Sequence, residues 1–199
     1  MNKVLSYLLH PIIMPVVGTI IYFILLPQHI NRQTELYIIL AVFIGTYAVP
    51  LLFLYSLKYT KAIRNFHLED PHERKFPVLF FMSISFLLAN LIFKGVNTFE
   101  LALFFMGVTV ALAITYALLY VKFKASLHMI GITGMIGFFL FFSFEFQLNI
   151  LPLLAFLFVI AGFIANARIK LEAHTTKEVF FGAAIGIISQ ITVYIFYNI

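Results

Sequence analysis

The chain has 199 residues, of which 63% are hydrophobic and only 11% are charged, and its mean hydropathy is +1.05. Soluble domains carry about 25% charged residues, so this composition excludes a soluble fold. The absence of cysteine excludes disulfide and thiolate chemistry, and the net charge of +5 is spread over short loops between apolar runs, a distribution that argues against nucleic-acid binding.

Seven apolar runs follow one another along the chain, and each is long enough to be a membrane-spanning helix. A crossing needs about 20 residues at about 1.5 Å of rise each. None of the runs alternates as a barrel strand does, so the sequence predicts an all-α transmembrane bundle of about seven helices. Six crossings stay open because two runs are short. The runs are residues 4–26, 36–57, 77–93, 99–121, 127–144, 150–166 and 178–197.

The bundle is expected to be one domain, residues 1–199, because no linker separates a second folded unit. Pro11, Pro15 and Pro50 lie in or near the apolar runs, so kinks and one re-entrant segment stay open. Gly182 and Gly186 form a G-x-x-x-G pair, which is typical of closely packed helices.

Basic residues collect on one side of the predicted membrane topology. With seven crossings, the N-terminus and the loops around residues 58–76, 122–126 and 167–177 share one side, which we call the basic face. Short basic loops stay in the cytoplasm, so we expect an integral protein of a bacterial inner (cytoplasmic) membrane with this face inward. Only Arg32 and Lys94 lie opposite. The basic face has Lys3, Lys58, Lys61, Arg64, Arg74, Lys75, Lys122, Lys124, Arg168, Lys170 and Lys177.

The segment from residue 167 to residue 186 holds the most informative spacing. It places Arg168, His174 and Glu178 in order at a membrane boundary. Positions four apart share one face of a helix, so Glu178 is placed to accept a hydrogen bond from His174, while Arg168 offers a planar fork of donors to a phosphate. The alternative is structural, because Thr175 and Glu178 also have the spacing of a capping box.

Two further polar elements reach the same face. Ser126 and His128 begin one apolar run, and Arg74 and Lys75 precede another. Two crossings separate each element from the next, so all three are expected at the basic face. Two histidines and several cations at one membrane surface indicate a phosphate site.

These elements resemble the motifs of the type 2 phosphatidic acid phosphatase family, K-x-x-x-x-x-x-R-P, P-S-G-H and S-R-x-x-x-x-x-H-x-x-x-D. Arg168, His174 and Glu178 have the spacing of the third motif, with Ala167 for serine and glutamate for aspartate. The second motif keeps Ser126 and His128 and lacks the proline and glycine. The resemblance covers about residues 74–186.

The first motif departs furthest from the family pattern. Two residues separate Arg74 from Pro77, and His67 stands where the family has lysine. The third motif therefore carries the resemblance.

The resemblance implies a metal-independent phosphatase without a cofactor. His174 would be the nucleophile that forms a phosphohistidine, oriented by Glu178, and His128 would be the general acid. The remaining four residues would bind the phosphate oxygens, and they are Arg168, Arg74, Lys75 and Ser126. The expected substrate is a lipid phosphate or a polyprenyl pyrophosphate in a membrane, and nucleic acid is not an expected partner.

Two other functions remain open from the sequence. A catalytically weak or inactive relative would bind or transport lipid phosphates. A small channel or structural membrane protein would need the intramembrane polar residues to line a path through the bundle, and those residues are Asn90, Glu145, Asn166 and Gln190.

Overall fold

The chain forms one α-helix after another, as the apolar runs predict. A computed structural model describes residues 9–64, 70–95 and 98–198, so Lys3 and His67 lie outside the described residues. Within these ranges there are seven helices and no strand, which confirms the predicted all-α bundle. They are α1 (Met14–Leu25), α2 (Arg32–Tyr59), α3 (Pro71–Phe93), α4 (Phe99–Tyr120), α5 (Leu127–Glu145), α6 (Leu151–Lys170) and α7 (Thr176–Asn198).

Six of the described helices, α2 to α7, are long and apolar enough to cross a bilayer. The protein is therefore an integral membrane protein. Helix α1 has only 12 residues and is the shorter apolar helix of the set. Because α2 to α7 alternate in direction, the connections α2–α3, α4–α5 and α6–α7 lie on the same side whether or not α1 crosses.

Helix α1 runs from the basic face toward the opposite face. At its start, the His10 ring contacts the ring of His128 at the beginning of α5. Near its end, the Tyr22 hydroxyl donates to Oε2 of Glu100, in the first turn of α4, at 3.3 Å. The N-terminal end of α1 thus reaches the side where the three polar elements were predicted to meet.

Helix α2 contains a π-helical turn at Ile44–Ala48, which ends two residues before Pro50. The N–H of Val49 donates to the carbonyl of Ile44, five residues earlier. Proline has no N–H and its ring crowds the preceding turn, and the wider turn accommodates both effects. The π-helical turn therefore lies beside one of the three prolines at which a kink was considered.

Helix α5 lies at the centre of the core and packs closely against α7. A Cβ atom on Gly182 would lie 2.7 Å from the carbonyl oxygen of Ser126, and one on Gly186 would lie 2.7 Å from that of Ile130. Only glycine allows the two backbones to approach this closely. The prediction that the G-x-x-x-G pair serves helix packing is confirmed.

Candidate active site

The α4–α5 and α6–α7 connections meet at the basic face through a backbone hydrogen bond. The N–H of Ser126 donates to the carbonyl oxygen of Glu178 at 3.1 Å. Ser126 precedes α5, and Glu178 lies in the first turn of α7. Two of the sequence elements that were predicted to share a face are therefore in direct contact.

His174 lies in the tight connection between α6 and α7. The turn includes Glu172 in the left-handed region at φ 53°, and the N–H of Ala173 donates to the carbonyl of Arg168 at 3.2 Å. This geometry folds the chain back so that His174 is only 6% exposed. Its imidazole therefore points into the protein at the boundary of the membrane.

His174 and Glu178 form the contact that their spacing predicts. Nδ1 of His174 lies 3.2 Å from Oε2 of Glu178. A carboxylate only accepts hydrogen bonds, so Nδ1 carries the proton and Nε2 keeps its lone pair. The carboxylate thereby favours the tautomer with the proton on Nδ1 and the lone pair on Nε2.

The capping box exists alongside this contact. The N–H of Thr175 donates to Oε2 of Glu178 at 2.9 Å, and the N–H of Glu178 donates to Oγ1 of Thr175 at 3.3 Å. The structural and functional interpretations of the spacing therefore do not exclude one another. The cap fixes the carboxylate at the position from which it contacts His174.

Two arginines from different helices lie close enough to His174 to influence its charge. Arg168 is in the last turn of α6 and is 9% exposed, whereas Arg74 is the fourth residue of α3 and is 6% exposed. Asp70 begins α3 by accepting the N–H of His72 at 2.8 Å. The third sequence element thus also reaches the site.

The charge state of His174 follows from this environment. Burial, reinforced by the positive charges of Arg74 and Arg168 and opposed by Glu178, lowers the pKa of His174 from 6.5 to about 4. The imidazole is therefore neutral at neutral pH. A neutral ring with a fixed tautomer and two buried guanidinium groups nearby has the properties of a nucleophile that faces an anion.

Ser126 and His128 occupy the start of α5. Ser126 is fully buried, and its Oγ has no hydrogen-bond partner among the described residues. It is the N-terminal flanking residue of α5, yet its side chain does not cap the helix. Helices α3, α5 and α7 all begin at the basic face, so their positive dipole ends also favour an anion there.

His128 contacts a residue that the sequence analysis missed. His128 is 8% exposed, and its ring centroid lies 5.4 Å from that of His10, with an angle of 75° between the ring planes. The signal was present in the topology, because the N-terminal end of the first apolar run was predicted at the basic face.

Lys75 has a different environment from Arg74. Its ammonium lies 4.1 Å from the centre of the Tyr120 ring, and Tyr120 is exposed at the end of α4. Arg64 lies farther out, where Nε pairs with Oε1 of Glu73 at 3.6 Å. The structure thus brings Arg74 to His174 and directs the Lys75 ammonium toward an aromatic ring.

A cleft of about 480 Å³ lies beside His174. Its walls come from the α6–α7 connection, the adjacent helix ends and one residue of the α4–α5 connection. The volume is within the range of small-ligand sites. In the described ranges, no three His, Asp or Glu side chains are grouped to hold a metal ion. The cleft is lined by Lys124, Ile169, Glu172, Ala173, His174, Thr175 and Glu178.

The intramembrane polar residues do not form a continuous path. Asn90 and Asn166 are exposed on the outside of the bundle, and the Asn90 amide donates to the carbonyl of Phe86 in its own helix. Gln190 is buried and donates to the carbonyl of Phe104 at 3.1 Å. The arrangement does not favour the channel alternative.

Glu145, the fourth of these polar residues, lies at the end of α5 away from the basic face. It accepts from the hydroxyl of Tyr194 at 2.6 Å. This pair is therefore separate from the histidine site.

Comparisons of the chain with protein-family models, with curated proteins and with solved structures find no match.

Proposed function

We propose that this protein is a membrane phosphatase that hydrolyses lipid phosphates or polyprenyl pyrophosphates through a phosphohistidine. The environment of His174 carries the proposal. His174 is buried and neutral, its Nδ1 is held by Glu178, and two arginines lie close enough to shift its pKa. These features support a site that binds a phosphoryl group and attacks it.

The proposed reaction has two steps. In the first, the lone pair on Nε2 of His174 forms a bond to phosphorus, the bond from phosphorus to the leaving oxygen breaks, and His128 gives that oxygen a proton. In the second, water attacks phosphorus, the nitrogen–phosphorus bond breaks and His128 takes the proton from the water. The products are the alcohol, or a lipid phosphate from a pyrophosphate, and inorganic phosphate.

Arg74 and Arg168 would neutralise the phosphoryl oxygens during both steps. A guanidinium group matches two oxygens at once, and it is most effective where water is scarce. Ser126, whose buried Oγ has no partner among the described residues, would donate its hydroxyl to the same group. Lys75 would act only by moving its ammonium away from Tyr120.

The finer location is part of the same proposal. We propose the inner membrane of a bacterium, with the basic face toward the cytoplasm; that orientation is supported by the predicted topology, which assigns eleven of the thirteen Lys and Arg residues to this face. The substrate would then approach from the lipid with its phosphate at the basic face.

The test is phosphate release by the purified protein in detergent, with phosphatidate, phosphatidylglycerol phosphate, undecaprenyl pyrophosphate and a lipid A phosphate as substrates. A radiolabelled substrate should leave an acid-labile, base-stable phosphohistidine on the unaltered protein. His174→Ala should abolish both the label and the turnover. His72→Ala is the matched control, because His72 is exposed at the same face and should leave both unchanged.

Turnover that persists in His174→Ala would contradict the proposed nucleophile. Saturable binding of these lipids without phosphate release or phosphohistidine would select the alternative, an inactive relative that binds or transports lipid phosphates.

A further inference from the structure

The N-terminal end of α1 brings a third histidine to the proposed site. The rings of His10 and His128 meet edge to face, with centroids 5.4 Å apart and planes at 75°. His128 is 8% exposed and His10 is half-buried, so the contact is largely shielded. No motif described above includes His10.

Local hydrogen bonding restrains the His10 ring. Its Nδ1 accepts the N–H of Ile12 at 3.4 Å, which places the proton of the neutral ring on Nε2. The backbone after His10 turns into α1, since the N–H of Ile13 donates to the carbonyl of His10 at 2.9 Å. The ring is therefore held by the turn that begins the helix.

Close packing between α1 and α5 fixes the two rings relative to each other. A Cβ atom on Gly131 would lie 3.2 Å from Cγ of Met14 and 3.7 Å from Cα of Pro11. Gly131 is one helical turn beyond His128, and Pro11 follows His10 directly. The small residue allows α1 to approach α5 at the level where the two histidines meet.

We propose that His10 is a positioning residue that holds the His128 ring in the orientation from which it gives a proton to the leaving oxygen. The inference rests on the proposed function and adds a residue to it. His10 breaks and forms no bond itself. In the first step, the bond from phosphorus to oxygen breaks while the proton moves from His128 to that oxygen, and His10 packs against the donor ring.

The role predicts a dependence on the leaving group. A poor leaving group, such as the alcohol of phosphatidate, needs a proton as its bond breaks, whereas para-nitrophenolate leaves without one. We would compare kcat/KM for phosphatidate and para-nitrophenyl phosphate, because kcat/KM reports the steps through release of the leaving group.

His10→Ala should lower kcat/KM for phosphatidate by at least about tenfold and for para-nitrophenyl phosphate by less than about threefold. A misplaced general acid slows only the reaction whose leaving group needs a proton. His10→Phe keeps a ring of similar shape and should restore most of the loss. It also provides the test if His10→Ala does not fold. His29→Ala is the control, because His29 is an exposed histidine at the far end of α1.

The outcomes separate this inference from the proposed function. If the unaltered protein turns over both substrates and His10→Ala lowers both equally or neither, the positioning role is overturned while the phosphatase stands. If His10→Phe behaves like His10→Ala on phosphatidate, positioning by ring packing is also overturned. If the unaltered protein forms no phosphohistidine and releases no phosphate, the proposed function fails and takes the inference with it.

Discussion

Oε2 of Glu178 lies 3.2 Å from Nδ1 of His174 and also accepts the N–H of Thr175 at 2.9 Å. One oxygen thus serves both the helix cap and the histidine. The two roles respond differently to substitution, because the cap needs only an acceptor whereas the histidine contact uses the negative charge.

Glu178→Gln should separate these roles. A glutamine at this position of a capping box still accepts the Thr175 N–H, so the unfolding temperature in detergent should change little. The proposed phosphohistidine would carry positive charge on the ring, so loss of the carboxylate should lower turnover by at least about a hundredfold. Phosphate release and thermal unfolding measure the two effects.

Thr175→Ala is the matched variant for that experiment. It removes the hydroxyl that accepts the Glu178 N–H and should cost about 1 kcal/mol of stability while turnover stays close to that of the unaltered protein. If Glu178→Gln lost stability and kept its turnover, the carboxylate would be a cap and nothing more.

The lowered pKa of His174 predicts a pH-dependent stability. Between pH 6.5 and about pH 4, the unfolded chain binds a proton at His174 that the folded protein excludes. The free energy of unfolding should therefore fall as the pH falls through this window, by up to about 3 kcal/mol from this residue.

Thermal unfolding of the unaltered protein and of His174→Gln across that window measures the effect. The stability difference between them should change as the pH falls, because the variant lacks the titrating group. Parallel curves would contradict the burial of a neutral imidazole.

The two buried arginines should matter more for anion binding than the lysine beside them. Arg74→Lys and Arg168→Lys replace a planar fork with a point charge and should weaken inhibition by orthovanadate by about tenfold or more. Lys75→Ala should change it by less than about threefold, because the Lys75 ammonium lies on Tyr120. Equal losses in the three variants would show that the structure assigns the cations to the wrong roles.

Gly182 connects packing to the proposed site. A methyl group there would lie 2.7 Å from the carbonyl oxygen of Ser126, so Gly182→Ala must displace the start of α5. We expect a loss of about 1–3 kcal/mol from overpacking, together with reduced turnover.

Gly162→Ala is the control, since a Cβ atom there contacts nothing within 4 Å. It should raise stability by about 1 kcal/mol through helix propensity. Thermal unfolding and phosphate release of both variants test the pair. Gly182→Ala with unchanged stability and turnover would contradict the close approach of α5 and α7.

The apolar runs predicted the helix boundaries well where the helix ends at the same residue as the apolar segment. The run at residues 99–121 became Phe99–Tyr120, and the run at 127–144 became Leu127–Glu145. The agreement is poorer for α3, which begins at Pro71, six residues before the predicted run. Its first turn is charged and capped by Asp70. Hydropathy therefore detects where the apolar segment begins, but it does not detect that the helix begins earlier.

The site was predictable to the level of the membrane face. Counting crossings predicted that three elements would share that face, and spacing predicted the contact between His174 and Glu178. Helix rotation was not predictable, because successive residues point about 100° apart and nothing local shows which one faces inward. Arg74 and Lys75 illustrate this limit, since one is buried near His174 and the other contacts Tyr120.

The topology predicted a shared face for His10 and His128, but their contact was not predictable for a related reason. The contact depends on how closely α1 approaches α5 at Gly131. The spacing of residues along either apolar run does not reveal the distance between two helices.

The hydrogen bond from the Ser126 N–H to the Glu178 carbonyl has a consequence for biosynthesis. Helices enter the membrane in the order in which the ribosome delivers them, and α7 is the last of the helices described here. Until it arrives, the start of α5 lacks its backbone partner and His174 lacks its carboxylate. A nascent chain halted before α7 would therefore carry both histidines and both arginines without the contacts that assemble the proposed site.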